Sequence, residues 1–388
     1  MTEAVATNEK KRAGYFCVYT PIELITAAGA TPMRLFKGGD ANTVSSGEVY
    51  TRSYFCQFAQ YSVGAFREDD PLYRSIDKIY HFNTCDQMKK GVEAIGEFFK
   101  VPYRMLCLPR ERSRKSSREF MRREVEVFRK DVEELTGNRV TDEGLKEEIV
   151  KFNRARHWLK RFSELRKRES PPLTGGEYLD LVKAFYYLPV EKSLAYFERF
   201  YDQLAKEEDD GERPIRIMVS GGIIADGDRR LIDLLEKELG ARIVVEDHCT
   251  GLRPFYYPIP EDKAPLDALS DGYLDSAPCA RMKPLAERLD FSQKLAREYR
   301  VDAIVYVSLK FCSCYAISLN SFVKRFHGLG IPVLDISSDY SESDLGQLRT
   351  RIGAFFELLK KGEKSDSTSP LPEDRSDQSA RSCGAKSA

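Results

Sequence analysis

A chain of 388 residues is longer than one ordinary hydrophobic core supports, so two or three domains are expected. With 42% apolar and 31% charged residues it has a globular composition, and its 61 basic and 61 acidic side chains cancel, which removes any electrostatic case for unspecific attraction to nucleic acid or a membrane surface. No run approaches the roughly 18 apolar residues that span a bilayer, and the N-terminal MTEAVATNEKKRAG lacks the apolar core of a signal peptide, so a cytoplasmic protein is expected.

Nine cysteines (17, 56, 85, 107, 249, 279, 312, 314 and 383) are too scattered for a small disulfide scaffold; in a reducing compartment they read as thiols, some of them metal or cluster ligands. No CxxC pair occurs, which argues against a zinc ribbon or a redox dithiol, so a metal site has to gather its ligands from distant loops. From Gly14 the chain reads as a short strand, a helix opening after Thr20 and closing at Gly29, and a second strand around 33–36. Thr20 is the expected N-cap, with Pro21 at the first helical position. Glu23 lies in the first turn, where it either completes a capping box or acts at a site opening at the helix start. Residues 41–49, polar and containing Gly47, read as a loop, and a helix follows Cys56. A strand at 78–82 ends in Asn83-Thr84-Cys85-Asp86 and a helix covers 87–99, which puts Cys85 on a strand-to-helix loop. The strand at 101–109 holds Cys107 inside its apolar run, where it reads as core. The basic residues from Arg110 to Arg123 either hold phosphates of an acidic cofactor or form a solvated helix face.

From 117 to 204 the apolar residues step by three and four, as in Met121, Val125, Phe128, Val132 and Leu135, and helices are expected throughout; His157 and Trp158 read as packing residues. After a charged linker at 207–213 a second α/β unit begins. Its glycine pair at 221–222 follows a strand but matches neither a P-loop nor GxGxxG. A helix is expected at 229–239 and a strand at 241–246, which leads into Asp247-His248-Cys249. The stretch 301–339 reads strand, loop, helix, strand. Its loop, Lys310 to Cys314, puts two thiols outside the carboxyl end of a parallel strand, where open α/β sheets bind ligands. The plain alternative is that these thiols pack as small hydrophobes. The expected architecture is α/β: two flavodoxin-like or Rossmann-like parallel-sheet domains at 14–110 and 213–361, a helical insert at 111–212, and a disordered tail at 362–388 that holds Cys383.

In order along the chain, TPIELITAAGATPMRL, YFCQF around Cys56, NTCD at Cys85, VSGG with EDHCTGLRPF, KFCSC at Cys312, and GIPVLDISSDYSESDLGQLRTRIGAFFE together resemble the 2-hydroxyacyl-CoA dehydratase family. That family also contains benzoyl-CoA reductase subunits and double-cubane-cluster proteins, and the likeness covers about residues 14–360. The resemblance implies an oxygen-sensitive hydro-lyase subunit with a [4Fe-4S] cluster on Cys56, Cys85 and Cys312, acting on an (R)-2-hydroxyacyl-CoA. Three thiolate ligands leave one iron open, so such a cluster serves as electron donor and as Lewis acid. In the family, one electron added to the thioester carbonyl gives a ketyl radical that expels the 2-hydroxyl and leaves an acidic β-hydrogen. Glu23 is the candidate for that proton. The electron comes from an ATP-hydrolysing iron-sulfur activator; no Walker A motif is present here, so the activator is a separate partner, beside a related subunit or a second copy of this chain. Ser313-Cys314 departs from the family's acidic residue or proline after the third cysteine and makes Cys314 a rival ligand, and Cys249 and Cys279 are further thiols for a larger cluster. The competing expectations are a benzoyl-CoA reductase-type subunit, a double-cubane reductase, and a subunit that only relays electrons.

Overall fold

The structure, a computed structural model, describes residues 10–206, 211 and 213–361. Most of the expected linker at 207–213, and the expected disordered tail with Cys383, lie outside the described residues. Two four-stranded sheets, both wholly parallel, form the frame. The first comprises β1 (Arg12–Tyr15), β2 (Thr31–Arg34), β3 (Lys78–Asn83) and β4 (Tyr103–Cys107) in the order β2-β1-β3-β4. The second comprises β5 (Arg216–Gly221), β6 (Arg242–Asp247), β7 (Ala303–Leu309) and β8 (Val333–Ser338) in the order β6-β5-β7-β8. This is the flavodoxin-like order, and the expected fold class is observed.

The central strands explain why the sheets are parallel and covered. Every residue of β5 and of β7 is buried, as in strands with helices on both faces, which therefore read as near-continuous apolar runs. In each sheet the chain steps outward from its first strand and then crosses to the other side, so the order reverses between β1 and β3 and between β5 and β7. Crevices at the carboxyl ends of such strand pairs are where ligands bind in this architecture.

Between the sheets in sequence lie the helices Lys115–Thr136, Asp142–Leu165, Gly175–Tyr187 and Val190–Leu204. Thr141 caps the second with a bond from Gly144 N at 3.1 Å, and Thr174 and Glu177 form a capping box on the third. Arg166, just past the second helix, is fully buried; it binds the Glu246 carboxylate of β6, with Nη2 at 2.9 Å from Oε2, and lies over the Tyr178 ring. The helices and both sheets share one apolar core, and a smaller cluster under the helix Glu342–Lys361 covers the far face of the second sheet. Among the described residues no helix is long and apolar enough to cross a membrane.

Several local expectations are corrected. Residues 41–49 are not a loop: Asp40 caps a helix, Ala41–Glu48, by accepting from the amides of Asn42 and Thr43. Its Gly47 is a crossing point, since a Cβ there would come within 1.8 Å of the Gln60 carbonyl oxygen in the neighbouring helix Gln57–Arg67. Thr20 does not cap the helix Ile22–Ala27; Pro21 is the N-cap, and the Ile22 amide donates instead to Tyr273 Oη at 3.2 Å. Cys107 is exposed rather than core, because β4 is an edge strand whose outward positions meet solvent. His157 is exposed, with its ring edge toward Trp158. The residues 229–239 begin as a helix, Arg230–Asp233, that widens into a π turn, Leu234–Glu238. Of the basic residues after β4, Arg114, Lys115 and Arg123 are exposed as a solvated face would be, while Arg112 pairs with Glu287, Arg118 with Asp271 and Asp275, and Arg122 with Asp267, clasping the helix Pro265–Leu274 and its surroundings. Gly222 donates its amide to Val307 O at 2.7 Å, so the glycine pair serves a close approach of β5 to β7.

Candidate functional site

The carboxyl ends of β1, β3, β5 and β7 open onto one cavity of about 130 Å³. Seven cysteines line it: Cys17 follows β1, Cys85 follows β3, Cys312 and Cys314 follow β7, and Cys56, Cys249 and Cys279 come from other loops. The three sequence-predicted ligand candidates, Cys56, Cys85 and Cys312, are brought together here, and their local setting is the same. Each occupies the N-cap position of a helix: Cys56 of Gln57–Arg67, Cys85 of Asp86–Phe99 and Cys312 of Ser313–His327. A helix N-terminus carries about half a positive charge and free amide donors, which favours a thiolate over a thiol. At Cys85 the sulfur accepts from Met88 N at 3.4 Å.

One side chain ties the three loops together. Gln87 sits two residues after Cys85; its Oε1 accepts the backbone N–H of Cys56, and its Nε2 donates to Phe311 O, next to Cys312, at 2.9 Å. Phe311 itself has φ of +64°, an unfavourable left-handed turn for a bulky residue that aims the following Cys312 back into the cavity.

The wall is cationic. Arg281 approaches Cys279 Sγ at 3.4 Å and Cys312 Sγ at 3.9 Å, and Arg253 donates to Tyr315 Oη at 3.2 Å. Among the described residues neither guanidinium has a carboxylate within 4.0 Å. Three buried arginines elsewhere pair with carboxylates, Arg156 with Glu23, Arg166 with Glu246 and Arg288 with Asp247, whereas Arg34 and Arg216 reach only backbone carbonyls. A cation held away from water without an anion is costly, so the buried Arg253 and the half-buried Arg281 argue for negative charge on the sulfurs beside them. Burial pushes the Cys279 thiol up, but Arg253 and Arg281 outweigh it and bring it down to about 6. The Cys56 thiol, as hydrogen-bond partner, lowers Cys312 below the ordinary thiol range; burial opposes this and Arg281 assists it. The same contact, with burial, holds Cys56 well above that range, so Cys312 is the more acidic of the two. His81 also lines the cavity, buried with both ring nitrogens unpartnered, and burial together with Arg281 lowers it to about 4, so it is neutral near pH 7.

The donor set is soft sulfur, which suits zinc, copper(I) and iron-sulfur clusters. Among the described residues no three His, Cys, Asp or Glu side chains converge on one point as the ligands of a single ion do. The thiols are instead spread around a cavity, as ligands to a many-atom cluster have to be.

Glu23 is not brought to this cavity. It is fully buried, paired with Arg156, and accepts from Tyr273 Oη at 2.8 Å. Arg156 and Tyr273 line a smaller cavity of about 40 Å³ that adjoins the first through Val18 and Arg253. Cys314 also lines the thiol cavity, with burial raising its thiol. Sequence reasoning missed Cys17, although it follows a strand just as Cys85 and Cys312 do. It also missed Gln87, Arg253 and Arg281, for which the sequence carries no comparable signal.

The family model described as 2-hydroxyglutaryl-CoA dehydratase, D-component, matches residues 17–359. A provisionally named dehydratase subunit of Escherichia coli strain K12 is 30% identical, over 89% of this chain and 91% of the relative. The (R)-phenyllactyl-CoA dehydratase beta subunit of Clostridium sporogenes is 25% identical, over 90% and 92%. A benzoyl-CoA reductase subunit of Thauera aromatica is 22% identical, over 92% of each. With the match running from the thiol after β1 to the last helix, this chain belongs to the 2-hydroxyglutaryl-CoA dehydratase D-component family.

Proposed function

We propose that this chain is the iron-sulfur subunit of a 2-hydroxyacyl-CoA dehydratase, holding a [4Fe-4S] cluster through Cys56, Cys85 and Cys312 and taking part in the removal of water from an (R)-2-hydroxyacyl-CoA. The observation that carries the reading is the convergence of three helix-capping thiols on a cavity whose arginines have no carboxylate partners among the described residues. A group of net negative charge with room for three thiolate ligands fits that lining. When bound, the cluster supplies a one-electron store and, at an iron without a protein ligand, a Lewis acid.

The chain's own residues have distinct tasks in this reading. The three helix N-termini, Arg253 and Arg281 hold negative charge in place. Gln87 fixes the spacing of the three cysteine loops. Phe16, Val18, Phe58, Ile223 and Leu309 make much of the remaining wall apolar and keep water from the sulfurs. For the proton step we assign Glu23, working through Tyr273, whose hydroxyl donates to it and lines the adjoining cavity. The electron comes from a separate ATP-hydrolysing iron-sulfur activator, and the enzyme is completed by a related subunit or a second copy; the subunit names of the relatives support a multi-chain enzyme. A benzoyl-CoA reductase-type subunit is the second reading, favoured by the full-length similarity to such a subunit.

Anaerobic purification followed by iron and sulfide analysis tests the proposal. About four irons per chain are expected, falling sharply in Cys56→Ser, Cys85→Ser and Cys312→Ser but not in Cys107→Ser; about eight would point to a double cubane, and none would refute the cluster. Turnover of a 2-hydroxyacyl-CoA against benzoyl-CoA with activator present then separates the two reactions.

A further inference from the structure

Arg281 is the one arginine of the cavity wall whose side chain touches a proposed ligand sulfur among the described residues. Its fork spans two sulfurs, with Nη1 3.4 Å from Cys279 and Nη2 3.9 Å from Cys312. Its plane lies over Tyr315, with the ring centre 5.4 Å from Cζ. Its Nε is buried with no hydrogen-bond partner among the described residues. The buried arginines elsewhere bind oxygen: Arg156, Arg166 and Arg288 reach carboxylates, Arg216 reaches the backbone carbonyls of Arg166, Arg168 and Tyr299, and Arg34, stacked on Phe36 and Tyr186, reaches the carbonyl of Cys249. Arg253, also without a carboxylate within 4.0 Å among the described residues, spends its Nη1 on the Tyr315 hydroxyl. Arg281 binds sulfur, which makes its position hard to explain as scaffold.

We infer that Arg281 sets the reduction potential of the cluster, acting as a fixed cation on the ligand sulfur of Cys312 and on the neighbouring sulfur of Cys279. This rests on the proposed cluster. Reduction adds one negative charge to a cavity already ringed by thiolates, and in a poorly solvated interior that charge is strongly disfavoured unless a cation stands close. A guanidinium keeps its charge at every accessible pH, so it favours the reduced state whatever the solution conditions. Net charge and hydrogen bonds to sulfur are among the main determinants of cluster potential, and Arg281 contributes to both. It is a positioning residue: it acts on the cluster through Cys312 and touches no substrate.

The test is a potentiometric titration of the complete anaerobic protein, following the paramagnetic signal of the reduced cluster in wild type, Arg281→Lys and Arg281→Gln. Iron content is expected to stay at the wild-type level. The midpoint is expected to move to more negative potential in Arg281→Gln and by a smaller step in Arg281→Lys, which keeps the charge and loses the fork. A fully loaded Arg281→Gln protein with the wild-type midpoint overturns the inference while leaving the cluster intact. Wild-type protein that binds no iron overturns the cluster and this inference with it. Should Arg281→Gln fail to hold iron, the wild-type protein decides. Electron-nuclear double resonance with guanidino-¹⁵N arginine is expected to show a nitrogen coupling to the reduced cluster that vanishes in Arg281→Lys, and absence of that coupling overturns the inference.

Discussion

Gln87 is where the geometry of the site is most open to attack. Its amide joins the backbone N–H of Cys56 to the carbonyl of Phe311 and sits two residues from Cys85, so a single truncation loosens all three loops that carry the proposed ligands. Gln87→Ala removes two hydrogen bonds worth about 1 kcal/mol each, and the part-buried Cys56 amide, left without its partner, adds a penalty of similar size. The total is about 2–3 kcal/mol, and if it falls wholly on the arrangement that receives the cluster, affinity drops by roughly 30- to 150-fold. Gln87→Glu sharpens the test: it keeps an acceptor for the Cys56 amide but turns a carboxylate toward the Phe311 carbonyl, so it should be at least as damaging as alanine. The assay is the rate of iron loss to an excess of chelator under anaerobic conditions, read beside the urea midpoint of the metal-free protein. Faster iron loss with a small change in midpoint is expected. Iron retention equal to wild type in both variants would show that the loops hold their spacing without this side chain.

Two further predictions concern groups away from the thiols. Glu23→Gln leaves the buried Arg156 without its anion and should cost about 3–5 kcal/mol in urea unfolding, partly recovered in a Glu23→Gln, Arg156→Met double variant; a Glu23→Gln protein that melts like wild type would deny the pair its structural weight, and one with full turnover and unchanged iron would remove Glu23 from the proton step. His248 is held down to about 3, first by burial and then by Arg253 and Arg34. Its folded pKa lies below the unfolded value, so unfolding takes up a proton and stability falls as pH drops from about 6.5 toward 3, by about 2 kcal/mol at about pH 5. Urea midpoints across that window should fall less steeply in His248→Asn, and parallel curves would exclude this residue as a source of the acid sensitivity.

What could be read from the sequence follows from where the determining forces are local. Strands β5 and β7 carry apolar residues throughout because helices cover both faces, and that continuity is visible in RIMVSG and AIVYVSL. Cys85 and Cys312 were legible because a thiol between a strand and a helix in an α/β unit has a defined place. The errors arise where a local signal has a tertiary cause. Gly47 looked like a loop residue, yet it is there to let two helices touch. Cys107 looked buried because the run around it is apolar, but only sheet order reveals that β4 is an edge. The arginines after β4 read as phosphate holders or a solvated face, and the partners of Arg112, Arg118 and Arg122, namely Asp267, Asp271, Asp275 and Glu287, lie about 150 or more positions further along the chain.

The charge pattern makes the same point at the site itself. Composition balances the chain to zero, and most buried arginines find an oxygen anion or a carbonyl, so neither net charge nor residue type marks Arg253 and Arg281 as different. Their difference is one of company: around them stand Tyr315 and the sulfurs of Cys279 and Cys312, and among the described residues no carboxylate lies within 4.0 Å of either, so ionised thiols are the anions at hand. A cavity made this way favours the addition of negative charge at its centre, which is what receiving an electron requires. Helix N-termini at Cys56, Cys85 and Cys312 push in the same direction. The proposed electron-accepting role therefore draws on an agreement between two independent sources of field, fixed dipoles and cations without carboxylate partners among the described residues, rather than on the cysteines alone.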